Sequence, residues 1–185
     1  LSRENPIESL LMSIPRLTNE RCLILSDGGL ESAVVAAIAA EQASRADTAT
    51  SVVLASWWGS VQDLDQLLPS IDRAVARQSD LYGLSLIPDI TGYPPEQGSE
   101  AIASTAGSLQ TQLLLQAASC AAQAGIHKVI WPIRLGSAAR DFDPTDIDTL
   151  GATIDRAVLA GRLATLDAST NGEHEVSIET PLVDF

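Results

Sequence analysis

The sequence predicts a single three-layer α/β domain with a five-stranded, mainly parallel sheet, and three observations carry that prediction. Short apolar runs of strand length alternate with longer stretches of helical periodicity, an order that buries a parallel sheet between two layers of helices. Turn residues punctuate the junctions, at Asp27-Gly28-Gly29, Gly59, Gly125 and Asn171-Gly172. The chain has 185 residues, 45% of them hydrophobic, and a mean hydropathy of +0.14. That suffices for one buried core and argues against disorder.

The segment Arg21 to Gln42 organises the rest. Arg21 to Ser26 is an apolar run of strand length, Asp27-Gly28-Gly29 interrupts it, and from Leu30 onward Ala, Val and Ile recur for about four helical turns without a breaker. Strand, glycine turn and helix follow one another. The first amides of a helix lack internal partners and the helix dipole places partial positive charge there, so Gly28 to Ser32 form a candidate anion site. Read from the junction alone, an ordinary βα turn that needs glycine only for its backbone angles is an equal alternative.

The remaining elements follow in order. Within residues 1–20, Ile7 to Ile14 is amphipathic and closed by Pro15, which predicts an N-terminal helical extension ahead of an α/β domain over 21–185. Ser51 to Trp57 reads as a second buried strand, implying a right-handed crossover from the first. Val61 to Gln78 carries Val61, Leu64, Leu67, Leu68, Ile71 and Val75 at helical spacing, with Pro69 marking a kink or a break into two pieces. Tyr82 to Ile87 is expected as a third strand, and Pro88 to Ser99 as an irregular loop, either a lid or plain surface. Ala101 to Ala124 is a long helix with Gly125 as its cap. His127 to Ile133 is the fourth strand, its Pro132 near an end or edge. Asp143-Pro144 starts a helix that runs to about Leu166, and Glu175 to Glu179 alternates as the fifth strand. Ligands of such sheets sit beyond the carboxyl ends of the strands, where the winding order reverses. The turn after the first strand therefore attracts attention twice.

Charge narrows the partners. There are 24 acidic side chains against 11 basic ones, giving a net charge of −13, and Lys128 is the one lysine. Such a surface repels nucleic-acid backbone and anionic lipid, so neither is an expected partner. No apolar run reaches membrane-spanning length, and the opening residues LSRENPIESLLMSIPRL lack the basic start and long apolar core of a secretory leader. A cytoplasmic protein is the expectation. Cys22, Cys120, His127 and His174 are scattered too widely for a zinc site, and no zinc is expected. The apolar N-terminal and Ala-rich faces make a homodimer the expected assembly.

The stretch LSDGGLESAVVA resembles the PP-loop of the ATP pyrophosphatases, S-G-G-x-D-S between a first strand and a first helix, and among them the 7-cyano-7-deazaguanine synthases. AASCAAQAG (Ala117 to Gly125) is similar to that family's helix before its fourth strand, and IETPLVDF (Ile178 to Phe185) to its strand and Pro-Leu segment. The resemblance implies a Rossmann-like, adenine nucleotide α-hydrolase-like fold with ATP and Mg²⁺ as cofactors. It implies a reaction in which a carboxylate attacks the α-phosphate, pyrophosphate leaves, and ammonia displaces AMP; in the deazaguanine branch the amide becomes a nitrile. By position, Gly28 and Gly29 match the paired glycines and Ser32 the final serine, while Asp27 stands at the first serine and Glu31 at the aspartate.

Carried over, the nucleotide-binding set is Ser26, Asp27, Gly28, Gly29, Leu30, Glu31 and Ser32, joined by Trp57, which either stacks on adenine or packs in the core. No catalytic residue and no metal ligand is assigned. The departures have physical weight. A serine hydroxyl donates to phosphate, whereas an ionised Asp27 only accepts and repels it by about 1 to 4 kcal/mol near 4 Å. The family's Arg-Asn pair falls on Leu109-Gln110, and its Gly-containing segment after the fourth strand on Trp131-Pro132. Without the family's lysine, scattered arginines such as Arg134 or Arg140 are left to offset a triphosphate. Ser137 to Asp143 is either a substrate loop, through Arg140, Asp141 or Asp143, or a solvated turn. Two functions follow: an adenine-nucleotide-binding protein that adenylates a carboxylate, or a non-catalytic nucleotide-sensing or scaffold protein on the same fold.

Overall fold

The computed structural model describes residues 21–45, 52–57, 64–87, 106–133, 144–169 and 175–181. The predicted N-terminal helix within residues 1–20, the loop Pro88 to Ser99, Trp58, Arg134, the segment Ser137 to Asp143 and the Asn171-Gly172 turn lie outside the described residues.

Five strands, β1 (Cys22–Ser26), β2 (Val52–Ser56), β3 (Ser85–Ile87), β4 (Lys128–Ile130) and β5 (Ser177–Glu179), form one sheet in the order β3-β2-β1-β4-β5. All four pairings are parallel, with Ser26 opposite Ser56 and Ile24 opposite Ile130. The chain builds outward from β1 to β3, then returns to the other side of β1 to lay down β4 and β5. The winding order reverses between β1 and β4. β1, with neighbours on both edges, is buried along its whole length, which is why CLILS is a continuous apolar run ending in one serine.

Four helices connect the strands: α1 (Leu30–Arg45), α2 (Leu64–Tyr82), α3 (Ala106–Gln123) and α4 (Pro144–Ser169). α1 packs on α2, and α3 on α4, giving a helical layer on each face of the sheet. Each buries one stripe at helical spacing: Ser32, Val35, Ala36 and Ala39 on α1; Ile71, Val75, Gln78 and Ser79 on α2; Leu113, Leu114, Ala117, Ala118 and Ala121 on α3; Thr153, Ala157, Ala160 and Ala164 on α4. The many alanines let α3 and α4 sit close to the sheet and to each other.

One sequence alternative is decided and two expectations are corrected. Of the two outcomes open at Pro69, a kink or a break into two pieces, the break does not occur: α2 continues through the proline, because the stripe Ile71, Val75 and Gln78 is buried as one face and outweighs the one backbone hydrogen bond proline forfeits. Tyr82 ends α2 instead of starting β3, with Gly83 in the turn and the Leu84 amide bonded back to the Ser79 carbonyl at 2.9 Å. β4 stops at Ile130, ahead of Pro132. The Gly125 cap is as expected: φ is +65°, its amide reaches the Ala122 carbonyl at 3.0 Å, and the Ile126 amide reaches the Ala121 carbonyl at 2.8 Å. These are the paired bonds of a Schellman motif.

Candidate functional site

The turn after β1 is held by a closed set of hydrogen bonds. Gly29 caps α1, its carbonyl accepting the Ala33 amide at 3.1 Å. Ser26, fully buried, donates its hydroxyl to Gln78 Oε1 at 2.7 Å and accepts the Gly28 amide at 3.2 Å. Gln78, buried on α2, returns Nε2 to the Gly29 carbonyl at 3.3 Å. Asp27 turns its carboxylate back over the loop, where Oδ1 accepts the Gly29 amide at 2.8 Å and the Ser32 hydroxyl at 3.0 Å. Ser32 divides its single proton between that oxygen and the Gly29 carbonyl, also at 3.0 Å.

The two glycines are needed for different reasons. Gly28 has φ +76°, and a Cβ there would stand 2.5 Å from Ala74 Cβ on α2, so the loop passes against the helix where no side chain fits. At Gly29 a Cβ would lie 2.9 Å from Asp27 Oδ1, so the missing side chain is the space that admits the Asp27 carboxylate.

The loop borders a cleft of about 180 Å³ lined by Leu25, Asp27, Glu31, Trp57, Trp131, Pro132 and Ile133. The cleft opens at the carboxyl ends of β1 and β4, the reversal point of the sheet. Its floor is aromatic. Trp57 and Trp131 are both buried, their ring centroids 6.0 Å apart at 62°, an edge-to-face pair. Backbone bonds fix both: the Trp57 amide to the Ser26 carbonyl at 2.7 Å, and the Trp131 amide to the Glu179 carbonyl at 2.8 Å. The Ile133 amide turns back to the Trp131 carbonyl at 2.8 Å, a tight turn centred on Pro132. Glu31 sits in the first turn of α1, half-buried, where the helix dipole favours its charge.

Of the sequence-predicted residues, Asp27, Glu31 and Trp57 border the cleft; Ser26, Gly28, Gly29 and Ser32 form the loop scaffold behind it; and Leu30 projects into solvent, 74% exposed. The donors at Gly28, Gly29 and Ser32 are turned inward to Ser26 and Asp27. Gln78, Trp131, Pro132 and Ile133 were not singled out as site residues. Gln78 had a signal: a polar residue continuing the core-facing spacing of Ile71 and Val75. Among the described residues no group of three or more His, Cys, Asp or Glu could hold a metal ion. No helix among them is long and apolar enough to cross a membrane.

A solved structure with a similar fold is that of the U34-tRNA thiolase NcsA from Methanococcus maripaludis with its [4Fe-4S] cluster, at TM-score 0.56 and 15% identity. The fold is a Rossmann-like α/β fold with a five-stranded parallel sheet. The match covers 95% of this chain and 58% of the thiolase chain, so this chain spans less than two thirds of that length. At this identity the likeness is one of fold. No family model matches the sequence, and no curated protein matches it.

Proposed function

We propose that this chain is a non-catalytic scaffold protein on the PP-loop fold, in which the phosphate subsite after β1 is closed by the protein's own carboxylate. One observation carries the reading: Asp27 Oδ1 takes the Gly29 amide and the Ser32 hydroxyl, two of the donors through which such a loop would hold pyrophosphate. The residues present do not fit a triphosphate in that arrangement. Asp27 and Glu31 put two negative charges beside it, and the cleft lining contains no basic side chain among the described residues.

ATP-dependent adenylation of a carboxylate, with Mg²⁺ and without zinc, is the second reading. The position of Ser26 to Ser32 between first strand and first helix, beside the reversal of the sheet, favours it. It requires the Asp27 carboxylate to leave the loop.

The two separate in one experiment. Millimolar MgATP is expected to leave the melting temperature of the wild-type chain unmoved. Asp27→Ser, which frees the Gly29 amide and Ser32 hydroxyl, is expected to bind ATP; at a hundredfold excess over Kd the gain is about 2.7 kcal/mol of stability. A wild-type shift with MgATP would overturn the closed loop, and pyrophosphate release in the presence of carboxylic acids would overturn the non-catalytic reading.

A further inference from the structure

Five of the eight large apolar side chains exposed among the described residues stand on one element: Ile154, Val158, Leu159, Leu163 and Leu166 on α4. The helix turns Thr153, Ala157, Ala160 and Ala164 inward, and these five lie on the opposite face, with Gly151, Asp155 and Arg162 exposed along its middle. In a chain of net charge −13, this outer face carries one acid and one base between residues 151 and 166. A neutral, largely apolar face on so acidic a protein is a contact surface.

The order of residues along the face names its occupant. Turned end for end about the midpoint between Val158 and Leu159, the face matches itself: Asp155 falls opposite Arg162, Val158 opposite Leu159, Ile154 opposite Leu163, and Gly151 opposite Leu166. Each pairing is complementary. The charges are opposite, two pairings are apolar on both sides, and Leu166, 64% exposed, meets a glycine whose added Cβ would touch nothing. At about 100° per residue the paired positions also sit symmetrically about the centre of the exposed face, as a two-fold axis requires. A parallel pairing in register would instead set Asp155 against Asp155 and Arg162 against Arg162.

We propose that the outer face of α4 binds a second copy of this chain, the two α4 helices packing antiparallel across a two-fold axis at Val158 and Leu159. The ion pairs among the described residues join Arg45 to Glu41 and Lys128 to Glu179, so Asp155 and Arg162 are available to the other copy. Two such pairs fix the direction and register of the helices, while the apolar side chains supply the buried area. The contact is independent of how the loop after β1 is occupied.

Sedimentation equilibrium of the full chain at micromolar concentration is expected to show a dimer. Asp155→Arg and Arg162→Asp, each made alone, place like charges opposite one another at two points and are expected to weaken association roughly tenfold or more. Both side chains are exposed, so the circular dichroism of either variant should match that of the wild type. The chain carrying both exchanges restores opposite charges and is expected to dimerise again. An equimolar mixture of the two single variants is expected to form a heterodimer, because one copy then brings two arginines and the other two aspartates to facing positions. A wild-type monomer, a dimer that neither single exchange weakens, or single variants that stay apart on mixing would each overturn the proposal. So would a wild-type monomer that dimerises once residues 1–20 are removed, which would assign the face to the chain's own amphipathic segment.

Discussion

The two ends of β1 are equally buried and differently built. At its amino end Cys22 lies in register with Lys128, enclosed by the core, and burial pushes its thiol up to about 11 from 9.0, with Lys128 pulling it down and Glu179 adding to the rise. The thiol stays protonated and inert. At the carboxyl end Ser26 is just as enclosed, yet its hydroxyl has two partners, and the next residue, Asp27, opens onto a cleft. Within β1 the buried side-chain hydrogen bonds thus fall at the end where the sheet reverses, while at the opposite end the Cys22 thiol packs beside Lys128, which pairs with Glu179 at 2.9 Å. A buried polar group without a partner costs about 1 to 3 kcal/mol, so each partner lost at the carboxyl end weakens the turn by about that amount.

The largest way to break this contrast is at the cleft floor. Trp131→Ala removes a fully buried ring and its edge-to-face partner, and is expected to cost about 3 to 5 kcal/mol in urea unfolding. A cost near that of a surface substitution would mean that the floor is not part of the core.

At the other end the test is alkaline titration. The unfolded Cys22 thiol ionises through 9.0 and the folded one only near 11, so between those values the unfolded state holds fewer protons and ionisation draws the chain toward it. The contribution is whole below 9.0 and is lost as pH climbs through about 11, a change of about 3 kcal/mol at most. Stability measured against pH should fall more steeply in this window for the wild type than for Cys22→Ala. Parallel curves would show that the thiol is not enclosed.

How much of this was legible in the sequence depends on which physics each part uses. The strand, turn and helix from Cys22 to Arg45 follow from local periodicity and glycine placement, and so does the parallel sheet, since βα alternation leaves few other ways to bury both faces. The break allowed at Pro69 does not occur: a local rule weighs one lost backbone bond without the buried stripe that keeps α2 whole. The orientation of Asp27 was hidden for a different reason. Its chemistry, an acceptor that repels phosphate, was readable, but that it folds back onto Gly29 and Ser32 depends on the space left by the absent Gly29 side chain and on α2 pressing from behind at Ala74. The Trp57–Trp131 pair joins residues far apart in the chain, which no window of local sequence reports.

Gln78 sharpens the comparison further, because it is the long-range strut of the carboxyl end. Gln78→Leu keeps the apolar bulk on α2 but leaves the Ser26 hydroxyl without its acceptor and removes one of the three donors to the Gly29 carbonyl, and is expected to cost about 1 to 3 kcal/mol. Hydrogen exchange at the Gly28 and Gly29 amides should accelerate with it, while amides near Cys22 stay protected. Uniform acceleration would point to global loosening and not to a local strut.

The smallest expected effect decides most about the loop. Ser32 corresponds to the last serine of the PP-loop pattern, and it is 1% exposed, with its hydroxyl already shared between Asp27 and the Gly29 carbonyl. If the residue is there to fasten the turn, Ser32→Ala costs about 1 kcal/mol of stability, the ordinary worth of one hydrogen bond, and changes no ligand affinity. If it is there to meet phosphate, removing it from the Asp27→Ser background abolishes the ATP binding gained there and costs the folded chain little. Unfolding and ATP titration on the single and double variants separate the two, because one predicts a loss read in the absence of ligand and the other a loss read only in its presence.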